Sequence, residues 1–350
     1  MPASNPFSSA ERLDVSSLAG HGPSIRALGF DDPVDVRSSY GIGALFPNKK
    51  RRFGIYLLVL NGGHFYIGRA TDVVQRFSAH RRTFGERLIG FSFQHLPLPQ
   101  HVELERDLIK RGERTGLALE QVEWVSQMYG TSDLDELVTG DEFAAWASDP
   151  LAHLAQEQWP LPASSAGRQA RDIRMLAKFE SAVLAPRVVE LLSLYVQHCV
   201  PLPRRTAPDY WNIACMPSTN ARSYPRLACV SAHVMETFVV GNERDDPESM
   251  WSFLVCARTP LEEHFGSLKK AERALRGVKI DDDRAYKSAG DDQCRISFGD
   301  GATALRVLGM PVVQEAARML MHRLMRKGVN RYARYHCAPL AAAVLGLSKS

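Results

Sequence analysis

Apolar residues run unbroken from 53 to 60 (FGIYLLVL), the length of a strand. Asn61-Gly62-Gly63 follows, and Asn and Gly tolerate the positive φ of a tight hairpin turn. HFYIG at His64–Gly68 then returns as a second strand. Thr71-Asp72 offers a helix N-cap, with Gln75 three residues after Asp72 as a partial capping box. Val73, Val74 and Phe77, with Leu88 as a candidate extension, supply an apolar face; Gln75, Arg76, His80 and Arg81 are polar. The pattern predicts strand, tight turn, strand, helix.

A second helix is predicted over Gln100–Thr115, with Val102, Leu104, Leu108 and Ile109 as its apolar positions and Gly116 as its C′ glycine. An acidic segment and a helix ending near Trp146 come next, and 155–168 read as a linker. Helical periodicity between Ile173 and Cys199 breaks at Pro186, which starts a new helix. WNIACM, LACVSAH, METFVVG, MWSFLVCAR, CRISF and ATALRVL read as strands. LEEHFGSLKKAERALRG and PVVQEAARMLMHRLMRKG read as helices.

This order of elements predicts an α+β fold in two parts: a small mixed sheet flanked by helices, then a helical linker and a second α+β domain. The expected boundaries are a poorly ordered or capping extension over 1–45, a first domain over 46–150, linker and helices over 151–198, and a second domain over 199–350. With 350 residues, 45% apolar and 23% charged, the chain is long enough for two globular cores. No apolar run approaches the ~20 residues of a membrane span. The N-terminal stretch lacks the charged-then-apolar order of a signal peptide, so a cytoplasmic location is expected. Six cysteines without a CxxC pair give neither a zinc spacing nor a disulfide framework, and read as buried free thiols. A net charge of +4 permits nucleic-acid binding without requiring it.

The chemistry concentrates in the hairpin. Gly54-Ile55-Tyr56 and Tyr66-Ile67-Gly68 mirror one another, with the tyrosines ten residues apart. Arg76 and His80 follow on the helix at i and i+4, on one face. Glu105 stands in an E-R-D-L-I context on the next helix. Glu103 competes with it, but the two point about 200° apart, so only one can face a shared pocket. With this spacing, residues 50–125 resemble the GIY-YIG nuclease domain, found in intron homing endonucleases, some restriction enzymes and the nucleotide excision repair incision subunit.

The resemblance implies a divalent-metal-dependent endonuclease cutting nucleic acid, DNA foremost, in restriction, defence, mobile-element or repair settings. It implies Tyr56, Tyr66, Arg76, His80, Glu105 and Gln121 as the catalytic set. Glu105 would hold Mg²⁺ or Mn²⁺, with waters completing the shell, as suits a hard cation. Arg76 would fork phosphate oxygens. Tyr56 would position or deprotonate the water. Because a tyrosine pKa near 10 is poorly matched to neutral pH, the metal and cations would have to lower it. His80 would orient the water or protonate the leaving group. Relatives carry an asparagine where GLALEQV (116–122) places Gln121, one methylene longer.

Lys49, Lys50, Arg51, Arg52, Arg69, Arg81 and Arg82 surround the motif and are expected to meet phosphate backbone, although exposed helices also carry arginine for solubility. At the C-terminus Arg323, Arg326, Lys327, Arg331 and Arg334 interleave with Tyr332, Tyr335 and His336, a composition suited to nucleic acid and to targeting or assembly. Trp211, Glu236 and Trp251 make no recognisable site. The opposing expectation is a non-catalytic nucleic-acid-binding or assembly protein that keeps the same fold.

Overall fold

The computed structural model of the chain describes residues 11–96, 101–156, 166–219, 224–282 and 286–347. The stretch read as a linker falls mostly outside them. The chain divides into two compact units, Met1–Gly130 and Thr131–Ser350, with a mixed α+β fold.

In the first unit a five-stranded sheet has the order β1-β4-β2-β3-β5. Its strands are β1 (Val34–Asp35), β2 (Gly54–Leu60), β3 (His64–Ala70), β4 (Leu88–His95) and β5 (Ala118–Leu119). All pairs are antiparallel except β3 with β5. The unit's helices are α1 (Gly22–Ala27), α2 (Val73–Phe84) and α3 (His101–Arg114). The apolar run of β2 is explained by its central place: every residue is buried. Ile55, Leu57 and Val59 pack with Leu108 and Ile109 of α3, whereas Tyr56, Leu58 and Leu60 pack with Val73 and Phe77 of α2. Gly62 (φ +85°) and Gly63 (φ +79°) make the turn, and Asp72 caps α2 by accepting from the Val74 and Gln75 amides.

Several expectations change here. Residues 11–46 are the capping alternative in full: Leu13, Ile25 and Phe30 close one face of the sheet, and Val34, Ile42 and Phe46 the other. The boundary at 45/46 therefore dissolves, and the first unit closes at Gly130 rather than near 150. Leu88 does not extend α2; it opens β4, the strand the sequence pattern left unassigned. Val102 stays 45% exposed, so α3 packs through Leu108 and Ile109 alone among its fully buried apolar positions.

The second unit holds an antiparallel sheet ordered β10-β11-β9-β8-β7-β6. Its strands are β6 (Trp211–Cys215), β7 (Arg226–Ala232), β8 (Met235–Asn242), β9 (Met250–Cys256), β10 (Val278–Asp281) and β11 (Cys294–Phe298). Helices α4 (Leu134–Leu137), α5 (Gly140–Ser148), α6 (Pro150–Gln156), α7 (Ala166–Glu180), α8 (Ala185–Cys199) and α9 (Pro203–Thr206) precede the sheet. Trp146, Phe179, Val188 and Leu192 join the core of this sheet, so the helices that carry them belong to the second unit. LEEHFGSLKKAERALRG is two helices, α10 (Thr259–Phe265) and α11 (Leu268–Leu275), because Gly266 turns left-handed (φ +84°) and Ser267 caps the second. ATALRVL is helical, α12 (Gly301–Leu308). Asp300 caps it, and Ala304, Val307 and Leu308 bury at helical spacing. α13 (Pro311–Arg326) and α14 (Ala338–Val344) complete the unit. All six cysteines are buried and unpaired. No helix among the described residues is long and apolar enough to cross a membrane.

The motif glycines have a packing reason. A Cβ on Gly54 would overlap the Gln94 backbone carbonyl, and one on Gly68 would overlap the Tyr56 hydroxyl and sit 2.9 Å from Tyr66 Cε1. Gly54→Ala and Gly68→Ala are each expected to destabilise the fold by about 1–3 kcal/mol, as overpacking does. Urea unfolding followed by circular dichroism measures this; an unchanged midpoint would show that the sheet opens freely at these positions.

Candidate active site

Two strands and two helices converge on one open cavity of about 810 Å³. Tyr56 comes from β2, Tyr66 and Arg69 from β3, Arg76 from α2, Glu105 from α3, and Gln121 follows β5; all line the cavity. Helical geometry settles the competition on α3. Glu103 is exposed and does not line the cavity, whereas the Glu105 side chain is 16% exposed and does.

Register brings the tyrosines together. Tyr56 pairs with Gly68 and Tyr66 with Leu58, so the two rings lie on the same face and stack at 6.3 Å and 7°. Arg76 Nε donates to the Tyr56 hydroxyl oxygen at 3.3 Å, and Tyr56 Oη lies 2.7 Å from His80 Nε2. An arginine can only donate, so the tyrosine oxygen accepts from it, and the hydroxyl hydrogen is free to bond His80 Nε2. His80 then carries its own hydrogen on Nδ1, an assignment that follows from the donor inventory. The imidazole stacks on Phe84 (5.6 Å, 15°) and tilts against Tyr66 (4.8 Å), which fixes the ring.

Burial sets the protonation states. It pushes the Tyr56 hydroxyl well above its ordinary value, with Tyr66 adding to the rise and Arg76 opposing it. Tyr66 rises for the same first reason. Burial, helped by the Arg76 charge, pulls His80 down to about 4. His80 does not line the cavity and is neutral near pH 7. The expectation that it orients the water or protonates a leaving group is therefore corrected: its contact is Tyr56, and it can act only through that hydroxyl. The expectation that neighbouring cations lower Tyr56 also fails for the protein groups alone, since desolvation outweighs Arg76.

Glu105 is held by Arg69 twice. The Arg69 backbone amide donates to Oε1 at 3.1 Å, and its Nε donates to Oε2 at 3.0 Å. Burial nevertheless raises the carboxyl, because the desolvation outweighs Arg69. Gln121 is 5% exposed, and its Oε1 accepts the Ile67 amide at 3.3 Å, extending the β3–β5 ladder where the strand ends. Its Nε2 is buried without a hydrogen-bond partner. The longer side chain thus serves the sheet as an acceptor.

Pattern reading missed Glu123 and Trp124, which also line the cavity. The Glu123 charge acts on both Glu105 and Tyr66. Trp124 adopts a left-handed backbone (φ +68°), unusual for a bulky residue, and carries the Arg106 guanidinium 4.9 Å from its ring centroid. Only their position two and three places after Gln121 could have flagged them.

The donor chemistry suits a hard divalent cation. Asp72, Glu105, Glu120 and Glu123 put carboxylates on the cavity wall, and among the described residues no imidazole or thiol lines it. Among the described residues no group of three or more His, Cys, Asp or Glu gathers to hold an ion. A cation here would keep most of its water, which fits Mg²⁺ or Mn²⁺.

The expected phosphate-binding cations divide. Lys49, Lys50, Arg51 and Arg82 are exposed, and Arg69 sits on the cavity wall with a side chain 51% exposed. Arg52 and Arg81 do not fit the expectation. Arg52 donates twice to the Phe46 carbonyl (3.2 and 3.0 Å) and faces Asp72. Arg81 donates to the carbonyls of Gly85, Leu88 and Val36, tying α2 to the start of β4. Both are structural ties.

The C-terminal cluster thins in the same way. Arg323 pairs with Asp292, Arg326 with Asp135, and buried Lys327 donates to the Ser288 carbonyl at 2.6 Å. His336 is buried against Trp211. Only Arg331, Arg334, Tyr332 and Tyr335 of that cluster lie at the surface, in a turn after α13. Trp211, Trp251 and Glu236 are engaged locally: the indoles donate to the Pro203 and Asn242 carbonyls, and Glu236 pairs with Arg226.

Compared with protein-family models, curated proteins and solved structures, the chain matches none.

The His80 environment makes a pH prediction. The folded chain holds the proton less readily than the unfolded one, whose histidine titrates near 6.5. His80's contribution is therefore intact above about pH 6.5 and is lost as the pH falls toward about 4. Histidine-selective NMR should find His80 still neutral at about pH 5.5, below the ordinary histidine range. A midpoint near 6.5 for His80 would overturn the buried, neutral assignment.

Proposed function

We propose that the protein is a divalent-metal-dependent endonuclease of GIY-YIG type that hydrolyses phosphodiester bonds, with DNA as its substrate. The observation that carries this reading is convergence. Two tyrosine hydroxyls, the Arg76 guanidinium and the Glu105 carboxylate, from four separate elements, line one open cavity, which Arg69, Asp72, Glu120 and Glu123 also line, while Glu103, the competing carboxylate on α3, does not.

In this reading Glu105 would hold Mg²⁺ or Mn²⁺, with Glu123 near enough to act on its charge. The bound cation would neutralise charge on the scissile phosphate. Arg76 gives its Nε to Tyr56 and also hydrogen-bonds Tyr66, so a phosphate on this guanidinium would join both hydroxyls. Tyr56 receives the proton of the attacking water on its oxygen as its own hydroxyl proton passes to His80 Nε2 across 2.7 Å, while the water oxygen bonds to phosphorus, the bond from phosphorus to the leaving sugar oxygen breaks, and that oxygen takes a proton from solvent in the open cavity. The tyrosine stays neutral throughout, so its raised pKa is no obstacle. Burial is the larger cause of the lowered His80, but a phosphate paired with Arg76 would offset the second cause, the Arg76 charge, and make the imidazole a better acceptor when substrate is bound. Tyr66, stacked on Tyr56, presents its hydroxyl to the same phosphate. Lys49, Lys50, Arg51 and Arg82 supply backbone attraction without reading sequence.

Supercoiled, single-stranded and branched DNA, incubated with Mg²⁺ or Mn²⁺, test the reading. Wild type should cut in a metal-dependent way, and Glu105→Gln, Tyr56→Phe and Arg76→Ala should each lose about a hundredfold or more in rate. Binding without cleavage by the wild type, or equal cleavage by all variants, would instead support a non-catalytic nucleic-acid-binding protein.

A further inference from the structure

The two Arg69–Glu105 hydrogen bonds differ in what they permit. The bond from the Arg69 backbone amide to Glu105 Oε1 is fixed by β3 and leaves that oxygen a second lone pair. The bond from Arg69 Nε to Oε2 at 3.0 Å places a full positive charge against the other oxygen of a carboxylate that lines the cavity. A divalent cation and a guanidinium at that distance from one oxygen repel each other strongly. They compete for Glu105.

The competition is easily decided, because the Arg69 side chain is 51% exposed and hangs on a flexible stem. An ion pair of this exposure contributes little, so releasing it costs little. The released guanidinium remains on the wall of the cavity that Arg76 also lines, where a planar fork suits phosphate oxygens. We propose that Arg69 is a handoff residue: it neutralises Glu105 while no cation is bound, and it transfers to substrate phosphate when a divalent cation takes the carboxylate. Cation and nucleic acid then bind with positive coupling, each releasing or capturing the same side chain. This rests on the nuclease reading above and assigns that site its regulation. Arg69 is a positioning residue here, acting through Glu105 and through phosphate.

The test reads binding, not turnover. Mn²⁺ affinity of the full chain is measured by electron paramagnetic resonance for wild type, Arg69→Gln and Glu105→Gln. Affinity for a labelled DNA duplex is measured with and without Ca²⁺ at constant ionic strength. Arg69→Gln keeps the backbone amide bond and should bind Mn²⁺ about two- to fivefold more tightly than wild type. Its DNA affinity should lose most of the dependence on Ca²⁺ that wild type shows. Glu105-dependent Mn²⁺ binding of equal or lower affinity in Arg69→Gln overturns the handoff and leaves the nuclease reading standing. Mn²⁺ binding that Glu105→Gln does not weaken overturns both.

Discussion

The first unit depends on β2 being buried on both faces. A strand covered on one side would alternate apolar and polar residues, and its tyrosine could lie on the solvent face. With α2 on one face and α3 on the other, alternate residues serve two cores, and every site group hangs from an element that those cores lock. Arg76 and His80 are placed by the packing of Val73 and Phe77. Glu105 is placed by the packing of Leu108 and Ile109. Each helix presents its chemistry one turn away from the residues that anchor it, so the site inherits the precision of the core.

Desolvation organises the chemistry inside that frame. It raises both tyrosines and lowers His80, so the Tyr56–His80 pair is held uncharged beside one arginine and one carboxylate. A neutral hydrogen-bonded pair tolerates burial where a tyrosinate or an imidazolium would not. Charged groups also line the cavity: Arg69 and Arg76 beside Asp72, Glu105, Glu120 and Glu123.

The second unit shows how far composition can mislead. Its basic and aromatic C-terminal stretch reads as a nucleic-acid surface, yet Arg323, Arg326 and Lys327 each have an intramolecular partner and His336 is enclosed. A cation in a helix facing a core is bound to need a counter-charge or a carbonyl, and here neighbouring elements supply them. The same holds for Arg52 and Arg81 in the first unit. Residue type announces a charge; only its neighbours say whether that charge is free.

The sequence alone determined the hairpin, its turn and the capped helix after it, because these rest on local rules: run length, positive-φ residues and capping chemistry. Helical angle set Glu103 and Glu105 apart, and tertiary structure turned Glu105 to the cavity. The sequence also held the α+β class. It did not hold β4, whose pairing with β2 depends on residues far away in the chain, nor the helical state of ATALRVL, where β-branched residues suggested a strand but burial of Ala304, Val307 and Leu308 at helical spacing prevailed. The place of residues 11–46 was equally hidden, since short irregular segments carry no period. Tertiary structure alone decided that His80 touches Tyr56 rather than the cavity, that Gln121 completes a strand, that Arg69 sits on Glu105 and that Glu123 and Trp124 join the wall. Each of these is a contact between elements, and a contact's partner is fixed by how the two cores close, which no local pattern records.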